Sequence, residues 1–383
     1  MGIKVFMIGG RRCGKTSALS VMFDQFVNGR ASSFFTINDQ TQLELGKLSP
    51  ISNKLEDQDP LLPKKYELMH FLVRPTSSTF LVDSGPTYCM WTYTLRLAIP
   101  GHPRKRTTID FFDCPGEYFQ DPKYTQDVQQ QMRESDVFVI VVDTPYLMEG
   151  SQVVGRAVNC VDSVQNFVSS IDNDNNNGVK AKMVMFVPIK CEKWVKEGRI
   201  NEVVDKIKTE YAVPIQTVMA YRRMNVCILP IETAGNIIFS ELREPFVITR
   251  QGQNEKVKCC KLTDTLVRLK DGSPRTKIES DSINTDPDAV IEGLGIIRPH
   301  SWFHINPNAD PNNLYAPYNC EQLPLHILSF MTRKMAEEGD GWLYTLIFGG
   351  ISKGEMERKM EEIEAAGLIK NNTEGIEYLK KDI

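Results

Sequence analysis

Apolar residues fall along this chain in blocks of two kinds, and their alternation predicts a fold before any motif is read. Runs that are apolar nearly throughout, at 5–8, 137–142, 182–187 and 225–229, have the composition of strands buried on both faces. Between them lie segments with helical spacing. Residues 15–27 place Ala18, Leu19, Met22, Phe23 and Phe26 on one face, 124–135 read as a polar helix, and 153–171 and 199–211 follow the same period. Strands that alternate with helices in this way build an α/β fold, a mainly parallel sheet with helices on both faces.

Other stretches break the rhythm. Residues 41–48 carry a helical pattern that stops before Pro50, and 56–63 are polar and rich in proline. Strand character returns at 67–73 and at 87–99, where Tyr88, Met90, Thr92, Thr94 and Arg96 alternate with Cys89, Trp91, Tyr93, Leu95 and Leu97. Gly101, His102 and Pro103 then turn the chain into a strand at 107–112, so a hairpin is expected. The polar run 172–178 is no calcium loop: counting from Asp172, Asn177 and Met183 stand where an EF-hand needs glycine and glutamate. Strand-like pieces at 257–269 and 290–302, set among polar loops, predict a β-rich insertion over 241–320. Residues 321–338 are strongly helical, with Leu325, Leu328, Phe330 and Met331 turned to a core. They are expected to close the domain formed by residues 1–240. A charged amphipathic helix at 353–366 follows, making 321–383 a closing helix plus a helical C-terminal tail with a faint winged-helix ending. From Ser352 onward acids outnumber bases eight to six, which argues against DNA there.

The first strand feeds the sequence G-x-x-x-x-G-K-T, made by Gly9, Gly14, Lys15 and Thr16, and a helix follows at once. Glycines let consecutive N–H groups of Gly9, Gly10, Arg11, Arg12, Cys13 and Gly14 curl into an anion nest. The helix that opens with Lys15, Thr16 and Ser17 adds its positive end. Lys15 is placed to reach β- and γ-phosphate oxygens, and the Thr16 hydroxyl to ligate Mg²⁺. At the end of the hairpin, Asp113 stands before Cys114, Pro115, Gly116 and Glu117. A strand-end aspartate opposite the phosphate loop can hold Mg²⁺ through water, and Gly116 can offer its N–H to a terminal phosphate without a side chain in the way.

In this order the motifs resemble the Ras-like, TRAFAC-class P-loop GTPases. The Asp-Cys-Pro-Gly-Glu form and the long segment before the hairpin look most like bacterial Ras-like GTPases, including the double-GTPase proteins of conflict systems. The resemblance covers the first 240 residues and implies a nucleotide domain with an inserted switch region near 38–86. It implies GTP and GDP as ligands, Mg²⁺ as cofactor, and a switch threonine that reaches the metal, with Thr76 and Thr79 as candidates and Thr79 the expected ligand. Glu117 stands where the family often uses a glutamine to orient the attacking water, so catalysis falls to Lys15, Gly116 and Glu117. Pro188-Ile189-Lys190-Cys191-Glu192 aligns with the guanine box N-K-x-D, with two departures. Ile189 replaces the asparagine that ties this loop to the phosphate loop, and Glu192 replaces the aspartate that accepts from guanine N1 and N2. The stem of Lys190 suits the base plane. Glu232-Thr233-Ala234-Gly235 is similar to the last box, where the Ala234 N–H would meet guanine O6 beside Thr233. GTP is expected over ATP, with weaker selectivity than a complete box gives.

The implied function is a GTP-binding molecular switch with slow Mg²⁺-dependent hydrolysis that regulates an effector or other partner protein. Arg11 and Arg12, at positions that are small in Ras, together with Ile189 and Glu192, keep open a nucleotide-binding scaffold with little hydrolysis. Composition adds bounds. A chain of 383 residues with 41% apolar content can bury a large core, and a net charge of −4 offers no general basic field for nucleic acid or anionic lipid. No apolar run has membrane-spanning length, the chain begins at once with a strand, and Phe6 occupies the position where a myristoylation signal needs Ser or Thr. A cytoplasmic protein without membrane insertion is the expectation. Nine cysteines without a C-x-x-C pair predict free thiols, and five dispersed histidines form no zinc pattern.

Overall fold

A computed structural model describes residues 2–10, 13–37, 46–47, 80–81, 91–99, 102–119, 125–171, 182–221, 223–243, 246–251, 254–259, 300–310, 315–338 and 350–381. Its strands are β1 (Ile3–Ile8), β2 (Thr36–Ile37), β3 (Gly46–Lys47), β4 (Phe80–Leu81), β5 (Trp91–Ile99), β6 (His102–Asp113) and β7 (Val137–Asp143). There follow β8 (Lys182–Ile189), β9 (Met224–Ile228), β10 (Ile237–Arg243), β11 (Phe246–Gln251), β12 (Asn254–Cys259), β13 (His300–Ile305) and β14 (Glu377–Lys381). The helices are α1 (Lys15–Asn28), α2 (Thr125–Glu134), α3 (Thr144–Glu149), α4 (Gln152–Val158) and α5 (Val161–Ile171), then α6 (Glu192–Lys196), α7 (Ile200–Glu210), α8 (Ala212–Ala220), α9 (Gln322–Glu338) and α10 (Lys353–Ala365).

Nine strands form one sheet in the order β14, β9, β8, β7, β1, β6, β5, β2, with β3 also paired to β5. From β9 through β6 the neighbours run parallel. The β5–β6 hairpin and β14 add antiparallel pairs at the two sides. The residues of β1 show why both faces are covered. Ile3, Val5 and Met7 enter one core with Leu19, Met22 and Phe26 of α1, Leu325 and Leu328 of α9, and Met360 of α10. Phe6 and Ile8 enter the other with Val128 of α2, Phe167 of α5, Val204 of α7 and Val218 of α8. Successive strand side chains point to opposite faces, so a strand apolar throughout needs a helical layer on each. Each such buried side chain contributes about 1.5–3 kcal/mol.

Several elements differ from the sequence reading. The helical pattern over 153–171 is two helices, because the chain breaks at Asn159 and Cys160, the latter with φ of 51°. Asn159 is drawn out of the helix by two bonds to the backbone of Asp143: its Oδ1 accepts from Asp143 N at 2.7 Å and its Nδ2 donates to Asp143 O at 3.3 Å. The helical expectation for 41–48 fails at Gly46 and Lys47, which pair with Thr92 and Trp91 of β5, an instance of sheet pairing overriding local propensity. The chain end is not helical throughout. β14 pairs with β9, Tyr378 opposite Cys227, and covers the edge β9 would otherwise expose.

Beyond the main sheet, β10 and β13 form an antiparallel ribbon, and Phe80 and Leu81 of β4 pair with Phe303 and Trp302 of β13. Chain from the 38–86 stretch and from the 241–320 stretch thus shares one small sheet. The expectations for 56–63, 67–73 and 172–178, and for most of 257–269 and 290–302, lie outside the described residues. Among the described residues no helix is long and apolar enough to cross a membrane.

Candidate functional site

The loop after β1 ends at Gly14, whose φ of 108° lies in a region that a side chain disfavours, and α1 starts at the next residue. Gly10 is required for a different reason: a Cβ there would stand 1.8 Å from the Val158 carbonyl oxygen at the end of α4. Lys15 is buried, and its Nζ donates to the carbonyls of Gly9 at 2.9 Å and Gly10 at 3.1 Å. Burial works against the ammonium. Charge interactions with Cys13, Asp113, Cys114 and Cys160 outweigh it and hold the Lys15 pKa above its ordinary value.

Thr16 is in the first turn of α1, and its Oγ1 donates to Asp113 Oδ2 at 2.6 Å. Asp113 is fully buried at the end of β6, in register with Met7 of β1, which is how the sheet delivers it to the loop. A hydroxyl and a carboxylate form a hard oxygen pair suited to Mg²⁺, which takes one or two protein oxygens and completes its shell with phosphate and water. Among the described residues no group of three or more His, Cys, Asp or Glu is arranged to hold a metal. Gly116 is buried and opens a 3-10 turn, Gly116–Phe119, stabilised by the Tyr118 N–H to Pro115 O bond at 3.0 Å. Glu117 is the second residue of that turn. Its side chain, and Arg11, Arg12, Thr76 and Thr79 altogether, lie outside the described residues.

The ends of β8 and β9 bring the second group together. Ile189 is fully buried, and its Cδ1 lies 2.9 Å from where a Gly14 Cβ would be. An apolar contact therefore joins this loop to the phosphate-loop candidate where the family pattern has an asparagine. Lys190 follows in the left-handed region, φ 60°, and its Cε passes 3.7 Å from the same point at Gly14. Its Nζ reaches Asp143 Oδ2 at 2.6 Å. Asp143 is completely buried, ends β7, and is held through its backbone by Asn159, whose carbonyl accepts from the Tyr211 hydroxyl at 2.9 Å. The sequence reading missed Asp143 and Asn159. A signal was present for the first, an aspartate closing a fully apolar strand.

Glu192 begins α6 and is 2% exposed. Its Oε1 accepts from the N–H of Ala234 at 2.7 Å, from the N–H of Gly235 at 3.3 Å and from Thr233 Oγ1 at 3.4 Å. Burial raises its pKa, against the pull of those amides. Glu232 nearby is pushed up to about 7 by burial and by Glu192, while Lys196, 3.6 Å away, pulls the other way. The loop 232–235 is further bridged to Tyr318 and Tyr315 ahead of α9. Trp194 of α6 stacks on Phe239 of β10, centroids 5.7 Å apart, and Phe239 meets Phe303 of β13 edge-on.

The candidate ligand-binding groups gather at or just beyond the carboxyl ends of the parallel strands β1, β6, β8 and β9. β1, which carries the loop, has β6 on one side and β7 on the other, the point where the order of connections reverses and α/β sheets take their ligands. Lys15, Thr16, Asp113 and Gly116 line one part of this end, Lys190, Glu192, Thr233 and Ala234 another. Comparison of the chain with protein-family models and with curated proteins finds no match.

Proposed function

We propose that this chain is a Ras-like P-loop switch that binds GTP with Mg²⁺ and hydrolyses it slowly to control a partner protein in the cytoplasm. One observation carries the reading: a buried lysine is folded onto its own glycine loop, beside a helix-start threonine bonded at 2.6 Å to a buried strand-end aspartate. Those are the residue types and places that a triphosphate and its metal require. Backbone N–H groups of the loop and the start of α1 would orient the phosphates. Lys15 would exchange the carbonyls of Gly9 and Gly10 for β- and γ-phosphate oxygens. Thr16 and Asp113 would hold Mg²⁺, which when bound offsets the charge gathering on those oxygens. Gly116 would offer its N–H to the terminal phosphate.

Glu117 sets the rate in this reading. A carboxylate at that place accepts a hydrogen bond from water but repels the γ-phosphate, so turnover is slow. The pairing of β4 with β13 supports the coupling a switch needs, since it ties the 38–86 stretch to a ribbon that begins two residues after Gly235. A second reading, a nucleotide-binding scaffold with little hydrolysis, is favoured by the apolar Ile189 contact and by Glu192 being bonded within the protein. Single-turnover hydrolysis separates the two. The switch predicts measurable Mg²⁺-dependent GTP cleavage that falls at least about tenfold in Glu117→Ala with binding retained; cleavage at the buffer rate in both proteins selects the scaffold.

A further inference from the structure

The two groups that would have to read a guanine are bonded to each other. Guanine recognition needs an N–H facing O6 and a carboxylate facing N1–H and N2–H. Here the Ala234 N–H is taken at 2.7 Å by the Glu192 carboxylate, which also receives the Gly235 N–H and the Thr233 hydroxyl. The extra methylene of glutamate relative to aspartate supplies the reach. Glu192 is 2% and Thr233 7% exposed and Ala234 is half-buried, so the carboxylate end of these bonds is largely removed from water, where such bonds are costly to break. Ile189 packs against Gly14 of the 9–16 loop, and the Lys190 ammonium is committed to Asp143.

We infer that Glu192 is a positioning residue that fastens the 232–235 loop to the start of α6, and that the site selects its ligand by the triphosphate with little regard for the base. A guanine can be read by both carboxylate oxygens only after Glu192 Oε1 leaves its three donors, and what the base gains there is offset by what the loop loses. Adenine meets the same closed surface. GTP therefore exceeds ATP in affinity by no more than about tenfold, far below the discrimination of about 10⁴ or more available to a site built to hydrogen-bond its substrate. The inference rests on the nucleotide reading of the 9–16 loop.

Competition titrations against a fluorescent triphosphate, with GTP, ATP and inorganic tripolyphosphate as competitors, test it on the full chain. The wild type should take GTP and ATP within about tenfold of each other. Glu192→Gln keeps the length and an acceptor oxygen for Ala234, so both affinities should stay within about threefold of wild type. Glu192→Ala releases the loop and should weaken GTP and ATP by the same factor. Amide exchange adds a readout that needs no nucleotide: Ala234 and Gly235 should be protected in wild type and Glu192→Gln and exchange faster in Glu192→Ala. A base-reading glutamate gives the opposite pattern, a loss confined to GTP in both variants, because an amide puts a donor where guanine N2 also donates; that pattern, or a wild-type preference beyond about a hundredfold, overturns the inference. Failure of all three competitors to bind would instead remove the nucleotide reading, and unprotected Ala234 and Gly235 amides in wild type would overturn the fastening of the loop by themselves.

Discussion

Asp143 illustrates what single residues do here beyond the motif positions. Its carboxylate is fully buried and paired with Lys190 at 2.6 Å, and its backbone is clamped by Asn159 on both sides of the peptide. Removing one member of a fully buried pair costs about 3 kcal/mol or more, and with Lys190 19% exposed that is the upper end of what is expected here. Asp143→Ala should therefore lower the urea-unfolding free energy by up to about 3 kcal/mol, and a loss below about 1 kcal/mol would show that Lys190 finds water instead. The meeting of Lys15, Thr16 and Asp113 at one place was legible in the sequence, because fixed spacing and strand-end placement set it. For Asp143 only the strand-end position was legible, since its partners stand 16 and 47 residues away. Glu192 was legible as a departure, but its bond to Ala234, across 42 residues, was not.

Elements follow the same division. The nearly all-apolar strands β7, β8 and β9 could be read from composition, because burial on both faces leaves no room for alternation. The break between α4 and α5 could not, because it depends on what Asn159 meets. β14 was equally hidden, and its docking carries a pH dependence. His326 of α9 is buried, and its Nδ1 lies 2.7 Å from the Tyr378 hydroxyl of β14. Burial, together with the positive charges of Lys381 and Arg333 and against a backbone bond at Lys370, lowers its pKa to about 4. The folded value lies below the unfolded one, so the unfolded chain binds the proton first. Stability from this residue is complete above about pH 6.5 and is lost as pH falls toward 4, by about 2 kcal/mol at pH 5. Glu232, raised to about 7, acts with the opposite sign, losing stability as pH rises from about 4.5 to 7, so the two must be separated by mutation. The unfolding free energy of His326→Gln, compared with wild type at pH 7 and pH 5, should drop less on acidification by about that amount. Parallel pH profiles would contradict the assignment.

At the scale of the whole molecule, the sheet order places the loop after β1 where β6 and β7 diverge, and every candidate site group described lies at that end. The small sheet of β10, β13 and β4 sits against the α6 start that carries Glu192, through Trp194, Phe239 and Phe303. The parallel core was legible from strands alternating with helices, whereas the meeting of two distant stretches in one small sheet was not, since two-residue strands such as β4 leave no pattern of their own. The nucleotide-binding proposal for this arrangement is tested most directly by isothermal titration of GTP with Mg²⁺ into wild type and Lys15→Ala. Saturable one-to-one binding in wild type, weakened at least about a hundredfold in a Lys15→Ala protein whose unfolding transition is intact, is the expected result. Equal heats in the two proteins, or none in either, would contradict it.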